Sequence, residues 1–208
     1  MSPTSATSPD TIGTFGTSLT NTINGAGLTN STSSFTDAGI AFETHITGFN
    51  SGTQYVDAPQ GANPGQTSGT FEFVISYPFA SVTDVLITDA YFWNYTQGGL
   101  TDRGWNAYTI DVDFDNNGTF DSIGFHSGSF TPGSLPIANH LPQAVGFPAI
   151  NLSAGGAVNI RFNVTSNQGG NSIGFDEIVF RVIPEPSRAM LLLSGMLVCF
   201  ARRRRSAI

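Results

Sequence analysis

The sequence predicts an all-β protein in which an antiparallel β-sandwich is followed by a short C-terminal hydrophobic helix. Three observations lead to this fold class. Apolar residues alternate with other residues in several stretches, Gly- and Pro-rich clusters such as "APQGANPGQTSG" separate these stretches, and no heptad, fixed repeat or helix-then-strand order occurs. A chain of 208 residues is long enough for one domain with a sizeable core.

The N-terminal residues 1–22 are rich in Ser, Thr and Pro and have no sustained apolar period, which predicts a flexible leader. The opening "MSPTSATSPDTIGTF" has neither the basic start nor the apolar segment of a secretory signal. If the protein is exported, we therefore expect its true start to lie upstream.

The sandwich is predicted for residues 23–183. Apolar side chains occupy every second position in three segments, as in half-buried antiparallel strands. These segments are residues 71–77, 108–114 and 158–164. A fourth strand, "VTDVLITDAYFWNY", is apolar on both faces near its end, and "IGFDEIVFRVI" changes phase at Asp176 and Glu177, which predicts a β-bulge.

The charge pattern argues against nucleic acid as a partner. Up to Ile183 the chain has no lysine, three arginines and fourteen acidic residues, a formal charge of −11. Such a surface repels phosphate backbones. Cys199 is the only cysteine, so the chain has no intramolecular disulfide.

The C-terminal segment 184–208 differs in character from the rest. Pro184, Glu185 and Pro186 form a strand-breaking motif, an apolar run covers residues 189–201, and a basic cluster follows. The cluster is Arg202, Arg203, Arg204 and Arg205. Arginines stay on the cytoplasmic side of a membrane. As a helix the thirteen-residue run spans about 20 Å, less than the roughly 30 Å hydrocarbon core, so a permanent anchor is marginal.

This order of motif, apolar run and arginines resembles the PEP-CTERM sorting signal of Gram-negative, exopolysaccharide-producing bacteria. The resemblance implies that an exosortase recognises the tail at the inner membrane and cuts it near Pro184, Glu185 and Pro186. The body would then reach the cell surface or the extracellular matrix.

The order of landmarks in the body resembles the discoidin-like, galactose-binding-domain jelly roll. These landmarks are "TFEFVI", "FWNY", "DRGWNAYTIDVDFDNNGTF", "AVNIRFNVTSNQGG" and "IGFDEIVF". The resemblance implies a jelly-roll sandwich that binds carbohydrate or another surface ligand through loops at one end, often beside a structural calcium. It implies no catalytic residue.

Three residues are candidates for ligand contact: Tyr95 as a rim residue, Trp105 near the start of a strand, and Arg103 beside it. Indole and phenol rings can stack on the apolar faces of sugars. Trp93 follows an apolar strand and is predicted to lie in the core instead.

The stretch "DFDNNGTFD" allows two interpretations. It matches the first nine positions of a calcium loop in which Asp113, Asp115, Asn117 and Asp121 would be the side-chain ligands, although Gly124 replaces the usual final glutamate. Alternatively, the strand continues through Asp115 and turns at Asn117-Gly118 as a hairpin. The alternation of the preceding strand favours the hairpin.

No catalytic motif accompanies these features. His45, His126 and His140 have no metal-ligand spacing, and Glu177 is expected to mark the bulge or to pair with an arginine such as Arg161. We therefore expect a non-enzymatic, exported protein that binds extracellular polysaccharide. The alternative is a structural or adhesive matrix protein without glycan affinity.

Overall fold

The computed structural model describes residues 3–8, 19–23, 55–57, 66–77, 84–96, 100–132 and 141–184. In these residues the chain forms nine strands: β1 (Ser5–Thr7), β2 (Tyr55–Asp57), β3 (Gly69–Ser76), β4 (Val85–Asn94), β5 (Ala107–Asp113), β6 (Asp121–Ser129), β7 (Gln143–Leu152), β8 (Ala157–Val164) and β9 (Ile173–Pro184). A short 3₁₀ turn covers Leu19–Thr22. Every strand pair is antiparallel.

The strands form two sheets, which confirms the all-β antiparallel prediction. One sheet has the order β1-β3-β8-β5-β6 and the other the order β2-β9-β4-β7. From β6 to β9 the chain changes sheet at each step, and the two sheets share one aromatic core. The sorting signal is predicted for residues 184–208. Pro184 is the last residue of β9, and the rest of the signal, together with the predicted C-terminal helix, lies outside the described part. Within the described residues, no helix has the length and apolar character to span a membrane.

Part of the predicted leader belongs to the sheet. Ser5–Thr7 pairs with β3 in the register Ser5 to Val74 and Thr7 to Glu72, and Ala6 packs against the core. A Ser/Thr-rich segment can join a sheet edge because the pairing uses backbone groups, which composition does not reveal. The boundary predicted at residue 22 stays a prediction.

The core is built from aromatic rings supplied by both sheets. Phe175 lies near its centre, with ring centroids 5.6 Å from Phe71, 5.9 Å from Phe73, 5.6 Å from Phe92 and 4.8 Å from Trp105. Most of these pairs are tilted or edge-on, an arrangement that aromatic rings prefer. The predicted alternation is confirmed by the buried residues of β3, β5 and β8: Phe71, Phe73, Ile75, Tyr108, Ile110, Val112, Val158, Ile160, Phe162 and Val164. It is wrong at Phe114, which lies beyond the end of β5 and is 47% exposed.

The predicted bulge in β9 is confirmed. Trp93 pairs with Glu177 and the next residue, Asn94, pairs with Phe175, so that Asp176 is the extra residue. The bulge lets Phe175 and Ile178, three residues apart, both face the core. The suggested pairing of Glu177 with Arg161 is wrong, because Arg161 lies on the other sheet and binds Glu72.

Trp93 is buried, as predicted for a core residue. It does not face the main core, however. It packs with Val179 and Tyr91 in a separate cluster on the opposite side of the second sheet.

We predict that Phe175→Ala lowers the free energy of unfolding by about 3–5 kcal/mol, because it removes a ring at the centre of the aromatic core. Phe114, which is 47% exposed, is the matched control. Phe114→Ala should change the free energy of unfolding by no more than about 0.5 kcal/mol. Chemical denaturation measures both values, and equal effects would contradict this description of the core.

Candidate functional site

One end of the sandwich carries a set of closely tied loops, which we call the loop end. There β4 and β8 end and β5, β7 and β9 begin. Two isolated bridges connect the loops: Gly104 with Gly174, and Trp105 with Asn167. Backbone hydrogen bonds also run from Gly170 N to Asp102 O and from Gly174 N to Arg103 O. The loop end is therefore held together by its own backbone.

Asn94 fixes the approach of the 100–106 segment. Its Oδ1 accepts a hydrogen bond from Trp105 N (2.7 Å), and its Nδ2 donates to Trp105 O (2.8 Å) and Thr131 O (2.9 Å). The side chain is fully buried, so these bonds meet the need of buried polar groups for partners. Gly104 permits this approach, because a Cβ atom there would overlap the Asn94 amide.

Two further amide side chains hold the 165–172 segment. Asn167 Nδ2 donates to Gly170 O and Ser172 O, while Gln168 Nε2 donates to Trp105 O and Phe130 O. Each amide thus joins backbone carbonyl groups of one or two loops. The loops are ordered before any ligand arrives, which lowers the entropic cost of binding.

Arg103 is the predicted ligand residue that the structure leaves accessible. Its side chain is half-buried, and it hydrogen-bonds the hydroxyl of Tyr95. Burial raises the pKa of Tyr95 to about 12, although the charge and hydrogen bond of Arg103 act in the opposite direction. Asp102, next to Arg103, is exposed. The loop end therefore presents a fixed guanidinium beside a carboxylate.

The predictions for Tyr95 and Trp105 are wrong. Both side chains are fully buried, so neither ring can stack on a sugar from solution. Trp105 lies between the sheets, and its ring centroid is 4.7 Å from that of Phe71 and 4.6 Å from that of Phe92. Tyr95 instead lies beneath the surface and orients Arg103 through the hydrogen bond at its hydroxyl group. The structure therefore brings Tyr95 and Arg103 into contact but turns Trp105 into the core.

Asp176 also lies in this region, and no sequence pattern predicts a binding role for it. It is fully buried, and its Oδ2 accepts hydrogen bonds from Thr96 N and Thr96 Oγ1. The phase change in "IGFDEIVF" indicates the bulge that directs this carboxylate to the loop end, but it does not identify Thr96 as the partner.

The predicted hairpin lies at the opposite end and joins β5 to β6, as Val112 pairs with Asp121. The strand ends at Asp113, so the prediction of an extended chain through Asp115 is wrong. The turn is wider than two residues because the last pair of the two strands is Val112 with Asp121. Within the turn, Asn116 and Gly118 both adopt positive φ, 55° and 91°. Gly118 suits such a conformation, which has little cost without a Cβ atom.

The carboxylate of Asp113 organises this turn. Oδ1 accepts a hydrogen bond from Asn117 N (3.0 Å) and Oδ2 accepts one from Gly118 N (2.7 Å). Burial favours a higher pKa for Asp113, but these backbone hydrogen bonds outweigh it and lower the pKa below its usual value.

Asp115 accepts a hydrogen bond from Asn117 Nδ2, and Asp121 is exposed across the turn. Across the described part of the chain, no three His, Cys, Asp or Glu side chains are grouped to hold a metal ion. The structure thus adds no support for calcium binding by Asp113, Asp115, Asn117 and Asp121, which stays a prediction.

Comparisons with known proteins give only distant similarities. No protein-family model matches the chain, and no curated protein matches it significantly. Among solved structures, the chain is similar to the CBM32 of AlyQ in complex with 4,5-unsaturated mannuronic acid, with 11% identity, a TM-score of 0.40 and coverage of 86% of this chain and 95% of that one.

Two further structures show similarity of the same order. A GH31 CBM32-2 bound to GalNAc has 10% identity, a TM-score of 0.41 and coverage of 85% and 95%. A family 89 glycoside hydrolase from Clostridium perfringens has 12% identity, a TM-score of 0.36 and coverage of 88% of this chain but 14% of that one. Similarity this low carries no argument about the ligand or activity of this chain.

We predict that Asp113→Asn lowers the free energy of unfolding by about 1–2 kcal/mol at pH 7, because an amide accepts the turn's N–H bonds less well than a carboxylate. A carboxyl whose pKa is lowered by folding stabilises the protein above its unfolded pKa and loses that contribution as pH falls through the folded pKa. The difference in free energy of unfolding between wild type and variant should therefore shrink as the pH falls below 3.8, the ordinary pKa of this carboxyl.

Denaturation at a series of pH values tests this prediction. Asp121→Asn, an exposed change in the same hairpin, is the control and should stay within about 0.5 kcal/mol of wild type. A pH-independent effect of Asp113→Asn would show that its charge does not hold the turn.

Proposed function

We propose that this protein is exported, is sorted by an exosortase through its C-terminal segment, and binds extracellular polysaccharide at the cell surface or in the matrix without catalysis. One observation carries the proposal: β9 begins at the loop end and ends at Pro184, at the opposite end of the sandwich. Its twelve residues span about 40 Å. The loop end therefore faces away from the place where the sorting segment begins.

The loop end offers suitable chemistry for a glycan. Arg103 can donate to ring and hydroxyl oxygens or to a sugar carboxylate, and the exposed Asp102 can accept from hydroxyl groups. Of the three arginines in the described residues, Arg103 is the one at the loop end. Because buried amides fix the surrounding loops, a ligand meets a rigid site.

A second candidate function is adhesion to another protein without glycan affinity. Two exposed apolar residues favour it: Leu100 is 41% exposed and Leu141 is 47% exposed. Leu141 lies two residues before β7 and Leu100 lies four residues before Gly104, so both belong to the loop end. Apolar side chains of this kind are typical of protein contacts when they join into one patch.

We predict that Arg103→Gln weakens binding of the producer's exopolysaccharide by about tenfold or more, because it removes the charged donor of the loop end. Purified full-length protein is titrated with this polysaccharide and with a glycan array. Arg181→Gln, which removes an arginine from the second sheet, is the matched control and should bind as wild type does. The titrations are run with calcium and with a chelator, which also tests the predicted calcium ligands.

Saturable sugar binding that is lost in Arg103→Gln supports the proposal. Silence across the sugars, together with retention of a protein partner, would favour the adhesive function instead. Turnover of a polysaccharide that one carboxylate substitution abolishes would contradict the non-enzymatic assignment.

We predict that deletion of residues 184–208 abolishes processing at the membrane. The expected result is a single unprocessed species in the producing bacterium. Cell fractionation and immunoblotting detect this species. Replacement of Glu185 and Pro186 by alanine keeps the apolar run and the arginines, and should block cleavage while the protein stays in the membrane fraction. Unchanged processing of either variant would refute the sorting assignment.

A further inference from the structure

The solvent side of the first sheet carries a continuous set of polar side chains, which we call the outer face. The strand register places these residues in rows across β3, β8 and β5. One row holds Glu72, Arg161 and Asp111, and the next holds Thr70, Asn163 and Thr109. Three neighbouring strands cover about 10 Å, so the two rows form a flat polar surface.

Hydrogen bonds join the side chains within each row and between the rows. Arg161 Nε and Nη2 both donate to Glu72 Oε1, at 3.0 Å and 2.7 Å. Asn163 Nδ2 donates to Asp111 Oδ2 at 2.7 Å and lies 3.5 Å from Thr109 Oγ1. The side chains are therefore held in fixed positions across three strands.

The hairpin also contributes to this surface. The ring of Phe120 lies against the guanidinium of Arg161, with Cζ 3.4 Å from the ring centroid. Such a cation–π contact fixes the guanidinium plane. The bonds to Glu72 use Nε and Nη2, so that Nη1 has no hydrogen bond within the described residues. Arg161 is thus ordered and still has a donor to offer.

The same network contains an unsatisfied acceptor. Asn159 is 7% exposed and donates from Nδ2 to Glu72 Oε2, but its Oδ1 accepts no hydrogen bond from the described chain. A buried acceptor without a donor costs free energy. The Oδ1 atom itself is buried, so it lies beneath the outer face and is not a contact point for a ligand there.

We propose that the outer face is a second glycan-binding site, separate from the loop end, and that it takes a neutral polysaccharide lying flat across β3, β8 and β5. Three features carry this assignment: donors and acceptors alternate across the strands, their positions are fixed before binding, and Phe120 supplies an aromatic edge. Sugar hydroxyls are both donors and acceptors, and so match such a surface.

The charges of the outer face select against acidic sugars. The row of Glu72, Arg161 and Asp111 has two carboxylates and one guanidinium, and the guanidinium is already paired with Glu72. A uronic acid would bring a further negative charge next to Asp111. A neutral chain avoids this repulsion and can donate hydroxyl protons to the carboxylates.

Two sites on one molecule would allow it to connect two polysaccharide chains. The loop end and the outer face point in different directions, since one lies beyond the strand ends and the other on the sheet surface. Binding at both sites increases the apparent affinity for a dense matrix well above that of either site.

The test uses the double variant Glu72→Gln/Arg161→Gln, which removes both charges and leaves no unpaired ion. Asp89→Asn/Arg181→Gln is the matched control, because it removes the ion pair of the second sheet. Full-length proteins are titrated calorimetrically with cellohexaose, maltohexaose, N-acetylchitohexaose and polygalacturonate, after thermal unfolding has shown that each variant is folded. Thr109→Val is a milder second variant, since it removes one exposed hydroxyl and keeps the side-chain shape.

We expect at least one neutral oligosaccharide to bind wild type, and the Glu72/Arg161 variant to weaken that binding about tenfold or more while the Asp89/Arg181 variant does not. Thr109→Val should weaken it several-fold. Binding of the neutral sugar should persist in Arg103→Gln, which separates this site from the loop end.

Three results would overturn the assignment: no neutral oligosaccharide binds wild type, the Glu72/Arg161 and Thr109 variants bind as wild type does, or Arg103→Gln alone removes all sugar binding. The last result would leave the loop-end site intact as a proposal. Loss of thermal stability without loss of binding in the folded variants would show that the network only stabilises the sheet.

Discussion

The reciprocal contact between Asn94 and Trp105 is the constraint on which the rest of the site depends. The Asn94 amide bonds both backbone polar groups of Trp105, and the indole ring enters the core among Phe71, Phe92 and Phe175. The segment that precedes Trp105 must therefore leave the core at a fixed point. That point places Arg103 and Asp102 at the surface, and it requires a glycine at position 104 because the amide lies against it.

Much of the fold follows from the sequence because the alternation of side chains is local. Phe71, Phe73 and Ile75 face the core as a period of two predicts, and the phase change at Asp176 marks a real bulge. The roles of Tyr95 and Trp105 could not be predicted in the same way. The burial of Trp105 depends on Asn94, eleven residues earlier in the chain, and on rings from both sheets. Tyr95 is buried beside Arg103, whose position in turn depends on the path of the 100–106 segment.

The hairpin illustrates a second limit of sequence patterns. Asp113, Asn117 and Gly118 suit a calcium loop, but the same groups also suit a turn in which the carboxylate accepts backbone N–H bonds. Both uses need an acidic residue, a short polar side chain and a glycine at these spacings. Only the positions of the N–H groups distinguish them. The outer face is similar, since the alternation identifies Arg161 as outward-facing but not Glu72, 89 residues away, as its partner.

The position of β9 connects the two functional parts of the proposal. This strand lies between β2 and β4 and pairs with β4 along nearly its whole length, from Asn94 opposite Phe175 to Val85 opposite Pro184. Under the proposed function, a load between a polysaccharide bound at the loop end and the C-terminal segment that follows Pro184 would act along the axis of β9. Its backbone hydrogen bonds are perpendicular to that axis, so they share the load instead of opening one after another. β9 thus runs from the loop end to Pro184 and would transmit a load between these two ends of the sandwich.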